Sequence, residues 1–367
     1  MTESATIVNI TDWMAKLMTI DLIIPTYKPE NSFIEMVDKM ENQSVALNHL
    51  IIMNTEQKYF ERLTYNNRIE NKYRDFTIRH LSKKEFDHGR TRNQGVKLSE
   101  ADYFIMMTQD AMPVDDCLIE KMLKAFKKDP KVAVVYARQV AREDSTEIEK
   151  FTRKFNYPDE SCVHSKADVD AIGIKAYFCS NVCAMYNRKV FDELGGFLNH
   201  AIFNEDMLYA AKAINAGYKV AYAADAEVVH SHNYTNMEYF KRNFDIGVSH
   251  AKHPEVFENL NTKGEGMRLV KKTAEHLKKT GNSSKVLGLY ITSAYKYLGY
   301  RKGLHYSRLS RKALMKNTMN PEYWDFDSIM EARSRIDVHQ GYGRSAAEKE
   351  MIAHLPNKRT ADEKSEG

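Results

Sequence analysis

Apolar residues in the first part of the chain fall in short unbroken runs: Ile20–Ile24, Leu50–Met53, Phe76–Leu81, Tyr103–Met107 and Val132–Tyr136. Runs of this length without polar alternation predict strands covered on both faces. Between them, apolar positions recur at helical spacing over 30–42, 89–99 and 115–128. The last of these follows Pro113, and Asp115 and Asp116 are placed to cap or complement its N-terminus. This βαβα alternation predicts an α/β fold with an open, mainly parallel sheet flanked by helices, binding ligands beyond the carboxyl ends of its strands.

A looser polar stretch at 141–178 reads as long loops and short helices. A second α/β portion follows, with a strand at Asn181–Tyr186, a helix at 188–195 ending on Gly195–Gly196 and a helix at 204–216 closed by Gly217. Strands are then predicted at Lys219–Ala223 and Glu227–His230. The pattern becomes helical, basic and aromatic from 236 to about 316. The resulting division is a short leader at 1–18, a catalytic-type domain at 19–235, a basic helical extension at 236–320 and a polar tail at 321–367, expected to be partly disordered.

Composition narrows the class. At 367 residues with 43% apolar and 11% aromatic content, the chain has enough material for a large core. Four cysteines, Cys117, Cys162, Cys179 and Cys183, form no CxxC pair, so neither a zinc ribbon nor a disulfide framework is indicated. The first residues lack the basic, apolar and small-residue order of a signal peptide, and no apolar run approaches the ~20 residues needed to span a bilayer. A cytoplasmic protein is expected. The net charge of +4 is unevenly placed: between Lys263 and Lys316 there are 14 Lys/Arg against only Glu265 and Glu275. Such a block suits phosphate-rich partners or an anionic membrane surface.

The usual nucleotide signatures are missing. No GxGxxG follows the first strand and no GxxxxGK[ST] occurs. Instead the first strand ends in Pro25-Thr26-Tyr27, and the fourth in Thr108-Gln109-Asp110-Ala111. A carboxylate at that edge can hold a divalent cation against a diphosphate, or simply cap the next helix. Asp87-His88-Gly89-Arg90-Thr91-Arg92-Asn93 opens a helix with two arginines, a combination that favours phosphate oxygens. Asn204-Glu205-Asp206 opens another; its carboxylates can complement the helix dipole, or one can take a proton from an attacking hydroxyl. His230 and His232, one residue apart, face the same way on an extended segment and can ligate a metal, though two ordinary histidines fit the same spacing.

At this point the sequence resembles a known family. IDLIIPTYKP (20–29), FDHGRTRNQG (86–95), TQDAMP (108–113), YARQ (136–139), FCSNVCAMYNRKVFDELGGF (178–197), FNEDMLYAAKAINAGYKVAYAADAEVVHSHNYT (203–235) and KYLGY (296–300) are similar to glycosyltransferase family 2, of GT-A fold. Within that family they resemble the bacterial rhamnosyltransferases of cell-wall and O-antigen polysaccharide synthesis. The resemblance covers about 20–300.

The resemblance implies an inverting transferase that moves L-rhamnose from dTDP-β-L-rhamnose to a polyprenyl-diphosphate-linked saccharide at the inner face of the plasma membrane. Asp206, beside Glu205, would be the catalytic base. Pro25, Thr26, Tyr27, Asn54, Arg90, Arg92, Asn93, Gln109 and Asp110 would bind the donor, and Ser180 and Asn181 the acceptor. Asp110 is what remains of a DxD motif whose first position here is Thr108. It would hold Mg or Mn with His230 or His232. Where relatives carry an Asp after the second strand, this chain has Asn54-Thr55-Glu56. Residues 283–303, SSKVLGLYITSAYKYLGYRKG, suit a helix in the membrane interface, with packing on the catalytic domain or a homodimer contact as alternatives.

No nucleic-acid partner is expected. Rival readings are a family 2 enzyme using a UDP-hexose, a sugar-nucleotide pyrophosphorylase, which generally has a glycine-rich loop absent from Pro25–Lys28, and a non-catalytic saccharide-binding protein.

Overall fold

A computed structural model describes residues 18–67, 75–232, 234–258 and 262–325. The leader and most of the polar tail therefore lie outside the described residues. Strands β1 (Ile20–Tyr27), β2 (His49–Thr55), β3 (Phe76–Leu81) and β4 (Tyr103–Met107) run parallel in the order β3-β2-β1-β4. They are crossed by helices α1 (Asn31–Glu41), α2 (Gln57–Asn67) and α3 (His88–Val96). The uninterrupted apolar runs are explained by burial on both faces. Ile20, Leu22 and Ile24 pack into one cluster with Phe33, Met36 and Met40 of α1, while Ile23, Ile51 and Met53 pack into the cluster on the opposite face.

The second half of the sheet is mixed. After β5 (Met112–Pro113) and helix α4 (Leu118–Lys128) come β6 (Val132–Val140), helix α5 (Glu147–Asn156), β7 (Cys162–His164), β8 (Cys183–Asn187), helices α6 (Arg188–Glu193) and α7 (Glu205–Asn215), and β9 (Lys219–Val229). β8 is antiparallel to β4 and β6, whereas β6 and β9 are parallel. The carboxyl ends of β1, β2, β4, β6 and β9 thus share one edge with the start of β8. Tyr27, Asn54, Asp110, Asn181 and His230 all lie at that edge.

Three sequence expectations change. α2 had no predicted counterpart; among its described side chains Phe60 and Leu63 are the buried ones. The two strands at Lys219–Ala223 and Glu227–His230 are one strand, β9. Ala137 pairs with Ala223 and the next residue Arg138 with Glu227, so the intervening residues bulge out and mimic a break. Asp115 and Asp116 do not cap α4: its N-cap is Cys117, and Asp115 instead accepts from the Cys117 N–H at 2.9 Å in a turn before the helix.

Helices α8 (Asn236–Lys252), α9 (Thr262–Lys279) and α10 (Val286–Leu304) form the basic extension. α10 crosses α8 at backbone contact. A Cβ on Gly299 or Gly303 would stand 2.1 Å from the carbonyl oxygens of Phe240 and Phe244, so only glycine permits this crossing. The close approach turns Leu289, Lys296, Gly299 and Gly303 inward. It leaves Leu287, Tyr290, Ile291, Tyr297 and Leu298 on the outer face, where Leu287 is 68% and Leu298 57% exposed. α9 and α10 reach the catalytic half through Ala274, Leu277 and Leu289, packed with Ile148 of α5.

Candidate active site

The pairing of β5 with β9 assembles the first cluster. Met112 opposes Val229 in antiparallel register, so the turn carrying Asp110 meets the residues just after β9. Asp110 Oδ2 lies 3.5 Å from His230 Nε2 and 3.7 Å from His232 Nδ1. Between the two histidines, Ser231 points the other way; its hydroxyl accepts from the Arg142 N–H at 3.0 Å. Burial opposes ionisation of Asp110, but the imidazoles beside it, His230 foremost, outweigh that and hold the carboxyl below the usual carboxylate range. Burial depresses His232 to about 4, with His230 adding to the effect, so its imidazole is neutral at pH 7.

Gln139, at the end of β6, fixes the tautomer of His230. Its side-chain oxygen accepts from His230 Nδ1 at 2.9 Å and from an Arg153 guanidinium nitrogen, while its NH2 donates to the Ser180 hydroxyl at 2.9 Å and to the Tyr157 hydroxyl. Since that oxygen can only accept, His230 donates to it from Nδ1 and presents Nε2 to Asp110. The carboxylate oxygen and both imidazole nitrogens lie within 4.8 Å of one another. This mixed oxygen and nitrogen donor set fits a divalent cation.

The second cluster surrounds the acidic pair. Glu205 is buried, lies 3.3 Å from Arg92 Nε and accepts from Asn181 Nδ2 at 3.1 Å. Burial works against its ionisation, but Arg92, His88 and Asn181 prevail and its pKa is lowered. Asp206 has no such cation. Its Oδ2 accepts from the Asn181 N–H at 2.9 Å and its Oδ1 from the Met207 N–H at 2.8 Å. Burial and the adjacent Glu205 charge raise it to about 7. The two neighbouring carboxylates thus divide: one is a fixed charge, the other is poised to exchange a proton near neutrality.

The DHGRTRN segment braces this pair: its arginines and asparagine, expected near the donor nucleotide and phosphates, are hydrogen-bonded within the protein. Asp87 caps α3 by accepting from the N–H groups of Gly89 and Arg90, and its other oxygen accepts from the Ala201 N–H at 3.3 Å. A side chain at Gly89 would collide with the Leu198 carbonyl, 1.6 Å from the Cβ position. Asn93 exchanges hydrogen bonds with the backbone of Phe197, and Arg92 faces Glu205. Arg90 donates to the Glu85 carbonyl at 2.9 Å. Asn181 is likewise engaged internally, accepting from the Tyr186 hydroxyl at 2.7 Å while holding both acids.

Near β1 and β2 the remaining expected residues are tied together. Gln109 and Tyr27 exchange reciprocal side-chain to backbone hydrogen bonds at 2.8 and 2.9 Å. Thr26 donates to Asn54 at 3.0 Å, and Asn54 bonds His80 at 2.9 Å; both Thr26 and Asn54 are buried, with Pro25 beside them in β1. Asn54 therefore lies in the floor of this edge. What stays accessible is aromatic: Tyr27 meets Tyr59 edge-on at 5.7 Å, with Lys28 Nζ over both rings. A cleft lined by Lys28, Glu30, Asn31, Tyr59 and Arg62 opens there. The non-glycine residues with left-handed backbone, Lys28, Glu56 and Asn204, all sit at this sheet edge, the first two just beyond strand ends and Asn204 directly before the acidic pair.

Sequence reasoning missed Gln139, Tyr59 and Arg153. Gln139 lay within the quoted YARQ motif; the other two had no signal beyond residue type.

Residues 21–195 match the family described as Glycosyl transferase family 2. The chain is 40% identical over 310 residues to the O-antigen chain rhamnosyltransferase RfbN of Salmonella typhimurium, covering 84% of this chain and 96% of that protein. It is 37% identical over 310 residues to the O-antigen chain rhamnosyltransferase WbaN of Salmonella anatum, covering 83% and 95%. Its fold is similar, with a TM-score of 0.52 at 14% identity, to that of the Pyrobaculum calidifontis mannosyltransferase PcManGT in complex with GDP-Man and Mn2+, covering 82% of this chain and 95% of that one. A GT-A sheet, an acidic pair at the start of α7 and near-complete alignment with curated relatives place the chain: it is a glycosyltransferase and belongs to glycosyl transferase family 2.

Proposed function

We propose that the enzyme transfers L-rhamnose, with inversion, from dTDP-β-L-rhamnose to a lipid-linked saccharide. One observation carries the mechanism. A hydrogen-bonded series runs from His230 through Gln139 to Ser180, whose neighbour Asn181 holds Asp206, so the cation-type cluster and the base share one edge. Asp206 takes the proton of the acceptor hydroxyl as that oxygen attacks the anomeric carbon from the face opposite the nucleotide. Glu205, paired with Arg92, stays ionised, and its charge keeps Asp206 basic enough for the task. Asp110, His230 and His232 would hold a divalent cation, which supplies charge neutralisation for the departing diphosphate. The Tyr27–Tyr59 corner receives the nucleotide base. The sugar itself is proposed from the two curated relatives, both named rhamnosyltransferases.

A panel of nucleotide sugars, each with and without Mn or Mg, tests this reading through donor hydrolysis and thermal stabilisation. dTDP-rhamnose with metal should give the largest response in both. A clear preference for a UDP-hexose would replace the donor and leave the transferase.

We further propose that the outer face of α10 lies on an anionic membrane at the cytoplasmic side, where a lipid-linked acceptor is presented. Among the described residues no helix is long and apolar enough to cross a membrane. The exposed Leu287, Tyr290, Ile291, Tyr297 and Leu298 instead form one stripe along a helix set in the strongly basic 263–316 block. In flotation, vesicles containing anionic lipid should carry the protein, and Leu287→Ser with Leu298→Ser should release it. Dimerisation in solution, abolished by the same substitutions, would assign the stripe to a second copy.

A further inference from the structure

Most buried or half-buried arginines near the site have a carboxylate: Arg92 has Glu205, Arg138 has Glu227, Arg153 has Glu149 and Arg188 has Asp192. Two cations do not. Among the described residues, Arg242 of α8 and Lys296 of α10 make no salt bridge or hydrogen bond. Each rests on aromatic faces: the Arg242 guanidinium is 4.6 Å from the Phe203 ring and 5.9 Å from Tyr234, and Lys296 Nζ is 4.1 Å from Tyr239. Aromatic contact holds a cation in place without neutralising it.

These two cations connect to the candidate cation site through stacked rings. His230 meets His232 at 4.5 Å, His232 stacks on Tyr234 at 4.8 Å, and Tyr234 meets Tyr239 at 5.5 Å. The nearby carboxylates have other partners. Glu149 pairs with Arg153, and Asp245 accepts from Thr318, Met319 and Asn320 at 2.6, 2.9 and 3.1 Å. Burial lowers the Lys296 pKa, and the more distant Glu149 carboxylate, already paired with Arg153, offsets this only in part. Lys296 also sits on the side of α10 opposite its exposed apolar stripe.

We propose that Arg242 and Lys296, with Tyr234 and Tyr239, form a second anion site that binds the diphosphate joining the acceptor saccharide to its lipid. Planar guanidinium and point-charge ammonium together match diphosphate oxygens. The placement favours the acceptor over the donor: the donor diphosphate is accounted for at Asp110, whereas this site lies between Asp110 and the helix proposed to meet the lipid. The inference rests on the lipid-linked acceptor proposed above.

The test is equilibrium binding of farnesyl diphosphate and of inorganic pyrophosphate to the full chain in EDTA, with dTDP binding in Mn measured beside it. Wild type and Asp110→Asn should bind both probes. Arg242→Met with Lys296→Met, which keeps the apolar stems on the rings, should weaken both at least tenfold, while Lys296→Arg alone retains pyrophosphate binding and the dTDP affinity of the Arg242 and Lys296 variants stays at the wild-type value. Absent binding by the wild type, undiminished binding by a double variant whose circular dichroism shows it folded, or an equal loss of dTDP affinity would overturn the proposal. If the double variant does not fold, Lys296→Met alone decides by the same criteria. Failure of the wild type to hydrolyse any nucleotide sugar would overturn the transferase mechanism instead, leaving diphosphate binding to be judged by itself.

Discussion

Asp206→Asn is expected to reduce glycosyl transfer by about 10²–10⁴-fold, the usual contribution of a positioned proton acceptor. Donor binding and fold should persist. The amide oxygen of Asn can still accept one of the two N–H bonds now made from Asn181 and Met207, so the structural loss is confined to about one hydrogen bond, ~1 kcal/mol. Steady-state kinetics with dTDP-rhamnose and a lipid-linked acceptor, alongside donor thermal-shift curves, would measure both. Near-normal transfer by a folded Asn variant would remove Asp206 from the role of base.

The pH dependence gives an independent check. Asp206 must be ionised to accept a proton, and burial with the Glu205 charge has raised it to about 7. The rate of transfer should therefore rise about tenfold per pH unit below that value and level above it. Glu205→Gln removes the like charge and should shift the rising limb to lower pH, at some cost because Arg92 loses its buried partner. Stability runs the opposite way. A carboxyl whose folded pKa exceeds its unfolded value, about 3.9, favours the folded state most below the unfolded value and loses that contribution as pH rises through the folded one. The Asn variant, lacking this titration, should gain in melting temperature relative to wild type between pH 4 and 8.

The elements that positioned this chemistry were legible where burial leaves a strong pattern. β1, β2 and β4 read directly as apolar runs because both faces are covered, and the break between 223 and 227 recorded a true irregularity, although a bulge and not a turn. Side-chain direction was not legible. Arg92 and Asn93 look like phosphate ligands from residue type and helix position alone. They turn inward because Glu205 and the Phe197 backbone, more than a hundred residues later in the chain, supply their partners. Gln139 was hidden for the same reason: its role exists only once β6, β9 and the segment before β8 converge. The paired histidines were the exception. Period-two spacing alone put both imidazoles on one side, and β5 pairing then placed Asp110 between them.

That convergence makes removal of the cation the other large effect expected. EDTA, Asp110→Asn and His230→Ala should each lower kcat/KM by at least about 10²-fold, comparable to losing one strong electrostatic stabiliser of a developing charge. A separate readout avoids relying on turnover. Mn at 100 times its dissociation constant should stabilise the wild type by about 2.7 kcal/mol and leave Asp110→Asn unmoved. Gln139→Ala is the sharper probe, since Gln139 reaches the cluster only through His230. Freed from its acceptor, the imidazole loses both its tautomer and its orientation, and Mn affinity should fall by about 10–100-fold. Gln139→Glu keeps an acceptor for Nδ1 and should retain most of that affinity. Mn binding that is insensitive to Asp110, His230 and Gln139 alike would place any cation elsewhere in the cleft.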